Sequence, residues 1–96
     1  MARKQYLICY DMTDDKRRTL VFKMLMGQGD HVQYSVFLCA LSDQELAVLR
    51  GRLNEAIHQR DDQIIIVDLG QAAGCLDQIF ECIGKRYDPI PRVRIV

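Results

Sequence analysis

Asp11 is the residue of this chain best placed to do chemistry. It is a single carboxylate at the end of the apolar run Tyr6–Tyr10, just ahead of a helix-like stretch. A hard divalent cation such as Mg²⁺ takes oxygen ligands, usually one or two protein carboxylates beside water and phosphate. One aspartate is too little for a metal nuclease, but a two-fold axis joining two copies of Asp11 would supply a pair. The other reading is a turn or cap residue, where aspartate is common. Lys16, Arg17 and Arg18 follow, with Lys23 beyond them. The planar fork of arginine suits bidentate contact with phosphate. A cation at a helix start gains nothing from the helix dipole, so either phosphate or a snorkelling stem along apolar surface favours them there.

His31 has no partner at ligand spacing, since His58 is far away. Structural, solvent-facing and phosphate-touching roles are all open to it. Tyr10 and Phe37 suit either core packing or base stacking. Gln33, Tyr34 and Ser35 interrupt an apolar run with polar groups, as an outward face or as a functional bulge. Cys75 and Cys82 are too far apart for a zinc pair. P-loop, dinucleotide, zinc-protease and serine-triad patterns are absent.

The elements that must position these residues follow from periodicity. Tyr6–Tyr10 is continuously apolar and reads as a central strand covered on both faces or at an interface. Thr13 or Asp14 caps a helix running to about Met26, with Leu20, Val21, Met24 and Leu25 as its apolar stripe. Gly27 and Gly29 stop it. His31–Leu41 favours strand, with a break expected near Tyr34-Ser35. Ser42-Asp43-Gln44-Glu45 is a capping box, flanked by Leu41 and Leu46 in staple positions. Leu46, Leu49, Leu53, Ala56 and Ile57 share one face of the helix that follows. Ile64–Val67 is a buried strand ended by Gly70. Ile79–Ile83 fits both a strand and a helix, and its shortness favours strand. Val93–Val96 is an alternating tail that needs something to bind it. The order predicts a single α+β domain over 1–96, a ferredoxin-like βαββαβ sandwich with an extra C-terminal strand. Its second sheet face is best covered by another copy of the chain.

Composition narrows the partners. Thirteen Lys plus Arg balance thirteen Asp plus Glu, which excludes a uniformly basic binder and an acidic tail. The charge is nevertheless segregated: residues 1–23 and 85–96 are net positive, and 24–84 is net negative. The longest apolar run, Val36–Leu41, is far short of the about 18 residues a spanning helix needs. Arg3-Lys4 before Tyr6–Tyr10 makes a poor secretion signal, because Asp11 stands where a small-residue cleavage site belongs. A cytoplasmic location with reduced cysteines is therefore expected.

Two stretches together carry a family likeness. Tyr6–Asp11 followed by Met12-Thr13-Asp14-Asp15-Lys16-Arg17-Arg18 resembles the "YDI-DD-RR" opening of the CRISPR-associated protein 2 family. Val32-Gln33-Tyr34-Ser35-Val36-Phe37 resembles that family's "VQ-SVF" strand. The Ile65–Leu69 strand, Ile83-Gly84-Lys85 and the apolar tail also match its layout. The resemblance implies a homodimer with sheets packed face to face, and a tail over 84–96 that crosses to the partner. It implies Mg²⁺ or another divalent cation held by Asp11 of both copies. It implies a spacer-acquisition protein that binds nucleic acid and bridges subunits of the CRISPR-associated protein 1 integrase. Many members are described as metal-dependent endonucleases on RNA or DNA, so protospacer DNA and single-stranded RNA are both expected ligands. Asp11 would be catalytic, and Lys16, Arg17, Arg18 and His31 would hold nucleic acid, with Tyr10 and Phe37 in support. The family often has Arg where this chain has His31, which weakens phosphate binding there and makes it pH-dependent. A duplex-binding scaffold without catalysis and a ferredoxin-like toxin ribonuclease stay open as alternatives.

Overall fold

The apolar run Tyr6–Tyr10 forms the middle of β1 (Lys4–Asp11) in a computed structural model that describes residues 3–71 and 81–85. The elements that follow are α1 (Asp15–Met26), β2 (Gly29–Gln33), β3 (Val36–Leu41), α2 (Asp43–Ala56) and β4 (Gln63–Gln71). The four strands make one antiparallel sheet in the order β2-β3-β1-β4. This is the expected ferredoxin-like α+β arrangement.

The period of two along β1 divides its side chains between two faces. Tyr6, Ile8 and Tyr10 are buried under the helices with Phe37, Cys39 and Leu41 of β3. Val21 and Leu25 from α1, and Leu46, Leu49 and Leu53 from α2, close this core. The expected stripe on α1 shifts by one position: Leu20 is 46% exposed, while Phe22, Met24 and Met26 pack at the core edge. Val21 and Leu25, one turn apart, set the line of contact, and Leu20 is rotated away from it. The other sheet face carries Leu7 and Cys9, paired in register with Leu38 and Val36 on one side and Val67 and Ile65 on the other. Ile65 and Val67 are 48% and 39% exposed there. The continuous apolar run of β1 is therefore covered by the helices on one face; on the second, Leu38 is also buried, and the apolar surface left open lies on the β4 side, at Ile65 and Val67. Cys9 and Cys39 lie on opposite faces, too far apart in direction to join in a disulfide.

Local signals account for the element ends. Asp14 accepts from the Arg17 amide at 2.9 Å and caps α1. The capping box of α2 is complete: Glu45 N donates to Ser42 Oγ at 3.2 Å, and Ser42 N to Glu45 Oε1 at 2.9 Å. The chain turns at Tyr34-Ser35 as expected, with a register shift between His31 and Gln33. Gly70 does not end its strand. It adopts φ 88° inside β4, beside the register shift against Lys4 and Tyr6, and so makes a bulge. Gly29 starts β2 rather than stopping α1. A Cβ there would strike the Leu38 carbonyl and the Cys39 sulfur. Glu81–Ile83 belongs to neither strand nor helix, contrary to the strand expected over Ile79–Ile83. The first part of that stretch and the tail over 86–96 lie outside the described residues.

One polar contact ties three segments together. Asp62, between α2 and β4, has a fully enclosed carboxylate. It accepts from Arg17 Nε at 2.6 Å and Nη2 at 3.3 Å, from His58 N at 2.8 Å, and from Thr13 N and Oγ1 at 3.2 and 3.4 Å. The Arg17 side chain, then the His58 and Thr13 amides, hold this carboxyl well below the usual carboxylate range, outweighing the opposing effect of burial.

Two outcomes follow for stability. Gly29→Ala forces a shift between β2 and β3 and should cost about 1–3 kcal/mol, read as a lower urea midpoint at unchanged slope. Because the folded-state pKa of Asp62 is depressed, its contribution is complete above the ordinary carboxylate pKa of about 4 and is lost as pH falls below it. Asp62→Asn should therefore melt several degrees below the parent at pH 7, and the gap should narrow at pH 3. An equal gap at both pH values would disprove this role.

Candidate active site and nucleic-acid interface

β1 places two neighbouring candidates on opposite sides of the sheet. Asp11 ends the strand on the open face, in line with Leu7 and Cys9, and is exposed and paired in register with Gln63. Among the described residues no group of three or more His, Cys, Asp or Glu could hold a metal ion. Asp11 thus offers a single hard oxygen donor, enough for Mg²⁺ only as one of two protein carboxylates or with water and phosphate completing the shell.

Tyr10 points the other way, into the core, at 6% exposure. Its ring stacks against Phe37 at a centroid distance of 6.3 Å. Burial, then the neighbouring Tyr34, push its phenol pKa up against the opposing pull of Arg18, so Tyr10 stays neutral at physiological pH. Phe37 is fully buried and meets Phe22 edge-on at 5.6 Å and His31 face-on at 4.7 Å. An enclosed ring offers no face to a base, and its place here is to hold Tyr10, Phe22 and His31 together. His31 also meets Phe22 edge-on at 5.2 Å, and its Nε2 lies 3.4 Å from the Tyr34 carbonyl oxygen.

The basic cluster is divided by its own carboxylates. Arg17 is one turn before Val21, so its side chain leaves on the inner face of α1 and ends on Asp62, with Thr13 Oγ1 also 3.3 Å away. Arg18 folds back across the β1–α1 turn, donating through Nη1 to Asp15 and through Nη2 to the Met12 carbonyl at 3.0 Å. These carboxylate hydrogen bonds raise the pKa of both arginines, so both remain charged. Lys16 is exposed. Tyr10, His31 and Phe37 therefore meet in one aromatic cluster, and Arg18 lies within electrostatic reach of Tyr10 and Tyr34. Asp11 is on the far side of the sheet, and the Arg17 guanidinium is turned toward the α2–β4 loop. Sequence reasoning missed Asp62 and Phe22. Asp62 reads locally as a turn residue, and only the long-range pairing with Arg17 gives it another role. Phe22 is masked by the apolar residues on both sides of it.

The family model for CRISPR associated protein Cas2 matches residues 4–73. A protein named CRISPR-associated endoribonuclease Cas2 2 from Thermodesulfovibrio yellowstonii is 42% identical over 67 residues, covering 70% of this chain and 74% of that protein. One named CRISPR-associated endoribonuclease Cas2 from Geobacter sulfurreducens is 32% identical over 91 residues, 95% of each chain. The crystal structure of Streptococcus pyogenes Cas2 has a TM-score of 0.68 to this chain at 28% identity, covering 83% of this chain and 99% of that one. No helix among the described residues is long and apolar enough to cross a membrane. A family match over most of the sequence, relatives aligned nearly end to end, and the antiparallel sheet just described agree: the chain belongs to the Cas2 family of CRISPR-associated proteins.

Proposed function

We propose that this chain acts in CRISPR adaptation as a homodimer that binds nucleic acid, bridges subunits of the CRISPR-associated protein 1 integrase, and cleaves phosphodiester bonds with a divalent cation. The observation that carries the reading is Asp11 at the end of an open apolar sheet face. Leu7, Cys9, Ile65 and Val67 on that face are best covered by the same face of a second copy, with the tail over 84–96 crossing over. A two-fold axis near the end of β1 would let the Asp11 carboxylates of both copies hold one cation, with Mg²⁺ the fitting choice for so few protein oxygens. A bound cation supplies Lewis-acid activation and charge neutralisation at the phosphodiester. Arg18 and Lys16 hold the backbone phosphates, with His31 beside them. Arg17 contributes positive potential from its place on Asp62. Tyr10 and Phe37 keep β1 and β3 in register behind the site. RNA is the favoured substrate because the curated relatives are named endoribonucleases.

The scaffold reading has its own support in α1. Lys16 and Lys23 are exposed seven residues apart, with the half-exposed Leu20 between them, so they form one outward stripe that suits tracking duplex phosphates. Both readings imply a cytoplasmic location.

Asp11→Asn should reduce Mg²⁺-dependent cleavage of single-stranded RNA to the level seen with EDTA, while light scattering still finds a dimer. Unchanged cleavage by the rigorously purified variant would remove the catalytic role. Spacer acquisition that survives Asp11→Asn but fails when Lys16 and Lys23 become Ala would leave the scaffold as the working function.

A further inference from the structure

Tyr34 stands apart from the other aromatic residues. It occupies the two-residue turn between β2 and β3 and is 76% exposed. Turns of this length favour Gly, Asn and Asp, and an exposed phenol ring there leaves apolar surface in water. Tyr10, Phe22, Phe37 and His31 pair with one another, whereas the Tyr34 ring pairs with no other ring among the described residues.

The turn is held in place on both sides. The Tyr10 amide donates to the Ser35 carbonyl at 3.1 Å. The His31 ring reaches the Tyr34 carbonyl through Nε2, which can only donate to that oxygen. That ring is itself fixed against Phe37 and Phe22. A fixed backbone carrying an exposed aromatic ring loses little entropy when the ring acquires a partner.

A cation is held at the same end of β1. Arg18 donates through Nη2 to the Met12 carbonyl at 3.0 Å, two residues past Tyr10, whose amide holds the turn at Ser35. The Arg18 charge is met by Asp15, whose side chain is 92% exposed. Such a solvent-facing pair is weak, so an incoming phosphate can take the place of Asp15.

We propose that Tyr34 is a base-stacking platform for single-stranded nucleic acid, working with Arg18, which takes the adjoining phosphate. The proposal rests on the nucleic-acid-binding reading above and assigns it a strandedness preference. A flat ring accepts the face of any unpaired base, but the bases of a duplex present only their edges. RNA and DNA single strands share this chemistry.

The test is fluorescence anisotropy on the full-length protein with a labelled single-stranded RNA, a single-stranded DNA of the same sequence, and the corresponding DNA duplex. Tyr34→Ala should weaken binding to both single strands about 5- to 150-fold. Tyr34→Phe should stay within about twofold of the parent, since stacking needs the ring and not the hydroxyl. Duplex affinity should not change. The salt dependence of single-strand binding should also be unchanged in Tyr34→Ala and shallower by about one unit in Arg18→Ala. Equal loss in Tyr34→Phe and Tyr34→Ala, loss on the duplex as well, or no loss in Tyr34→Ala each overturns the stacking role. In the last case, intact Asp11-dependent cleavage leaves the general reading standing. A parent protein that binds none of the three probes overturns both.

Discussion

A carboxylate taken out of water must be compensated in full, and Asp62 makes the surrounding architecture do so. A buried, unpaired charge is among the most costly things a fold can contain. Asp62 escapes that cost only because Thr13, Arg17 and His58 all reach it. Those three belong to the β1–α1 turn, the first turn of α1 and the loop just past α2. None of these segments can move without exposing a bond of the carboxylate. The turn that follows Asp11 is therefore fixed by a residue that does no chemistry. The same contact explains why an arginine stands at a helix start, where the dipole disfavours it: a buried anion is its partner.

Phe37 does for the middle of α1 what Asp62 does for its start. It is fully buried, and three aromatic side chains from three different elements meet it: Tyr10 from β1, Phe22 from α1 and His31 from β2. Aromatic pairs at such distances prefer stacked or edge-on geometries, so the cluster fixes ring planes as well as positions. The His31 ring held in this way then reaches the β2–β3 turn. Precision at the surface thus begins with a residue that never sees solvent.

The parts legible in the sequence were those encoded locally. The capping box at Ser42 and Glu45, the cap at Asp14 and the break at Tyr34-Ser35 each depend on residues within a few positions, and all three formed. The family opening around Tyr10, Asp11 and Arg18 was legible in the same way. What local spacing could not give was pairing across the chain. Arg17 looked like a free phosphate ligand because Asp62 is distant in sequence. Leu20 looked like core because a helical stripe read without its partner has no fixed centre, and only the packing of Val21 and Leu25 against the sheet sets one. Gly29 and Gly70 looked like stop signals, but one answers to a neighbouring strand and the other to a bulge.

The division of labour along β1 comes from the pleat. Tyr10 and Asp11 are adjacent, yet one ends in the core and the other on the open face, because successive side chains of a strand point to opposite sides. A one-residue slip of β1 against β3 would exchange the two sets. It would bury Asp11 among Phe37, Val21 and Leu25 and send Tyr10 to the open face. The register is held against that slip by Tyr6, Ile8 and Tyr10, which fill the core. The two faces of the sheet therefore draw on alternate residues of one short strand, and no position between Tyr6 and Tyr10 is polar. The first polar side chain after that run, Asp11, falls at the last position of the strand, on the same face as Leu7 and Cys9 and exposed.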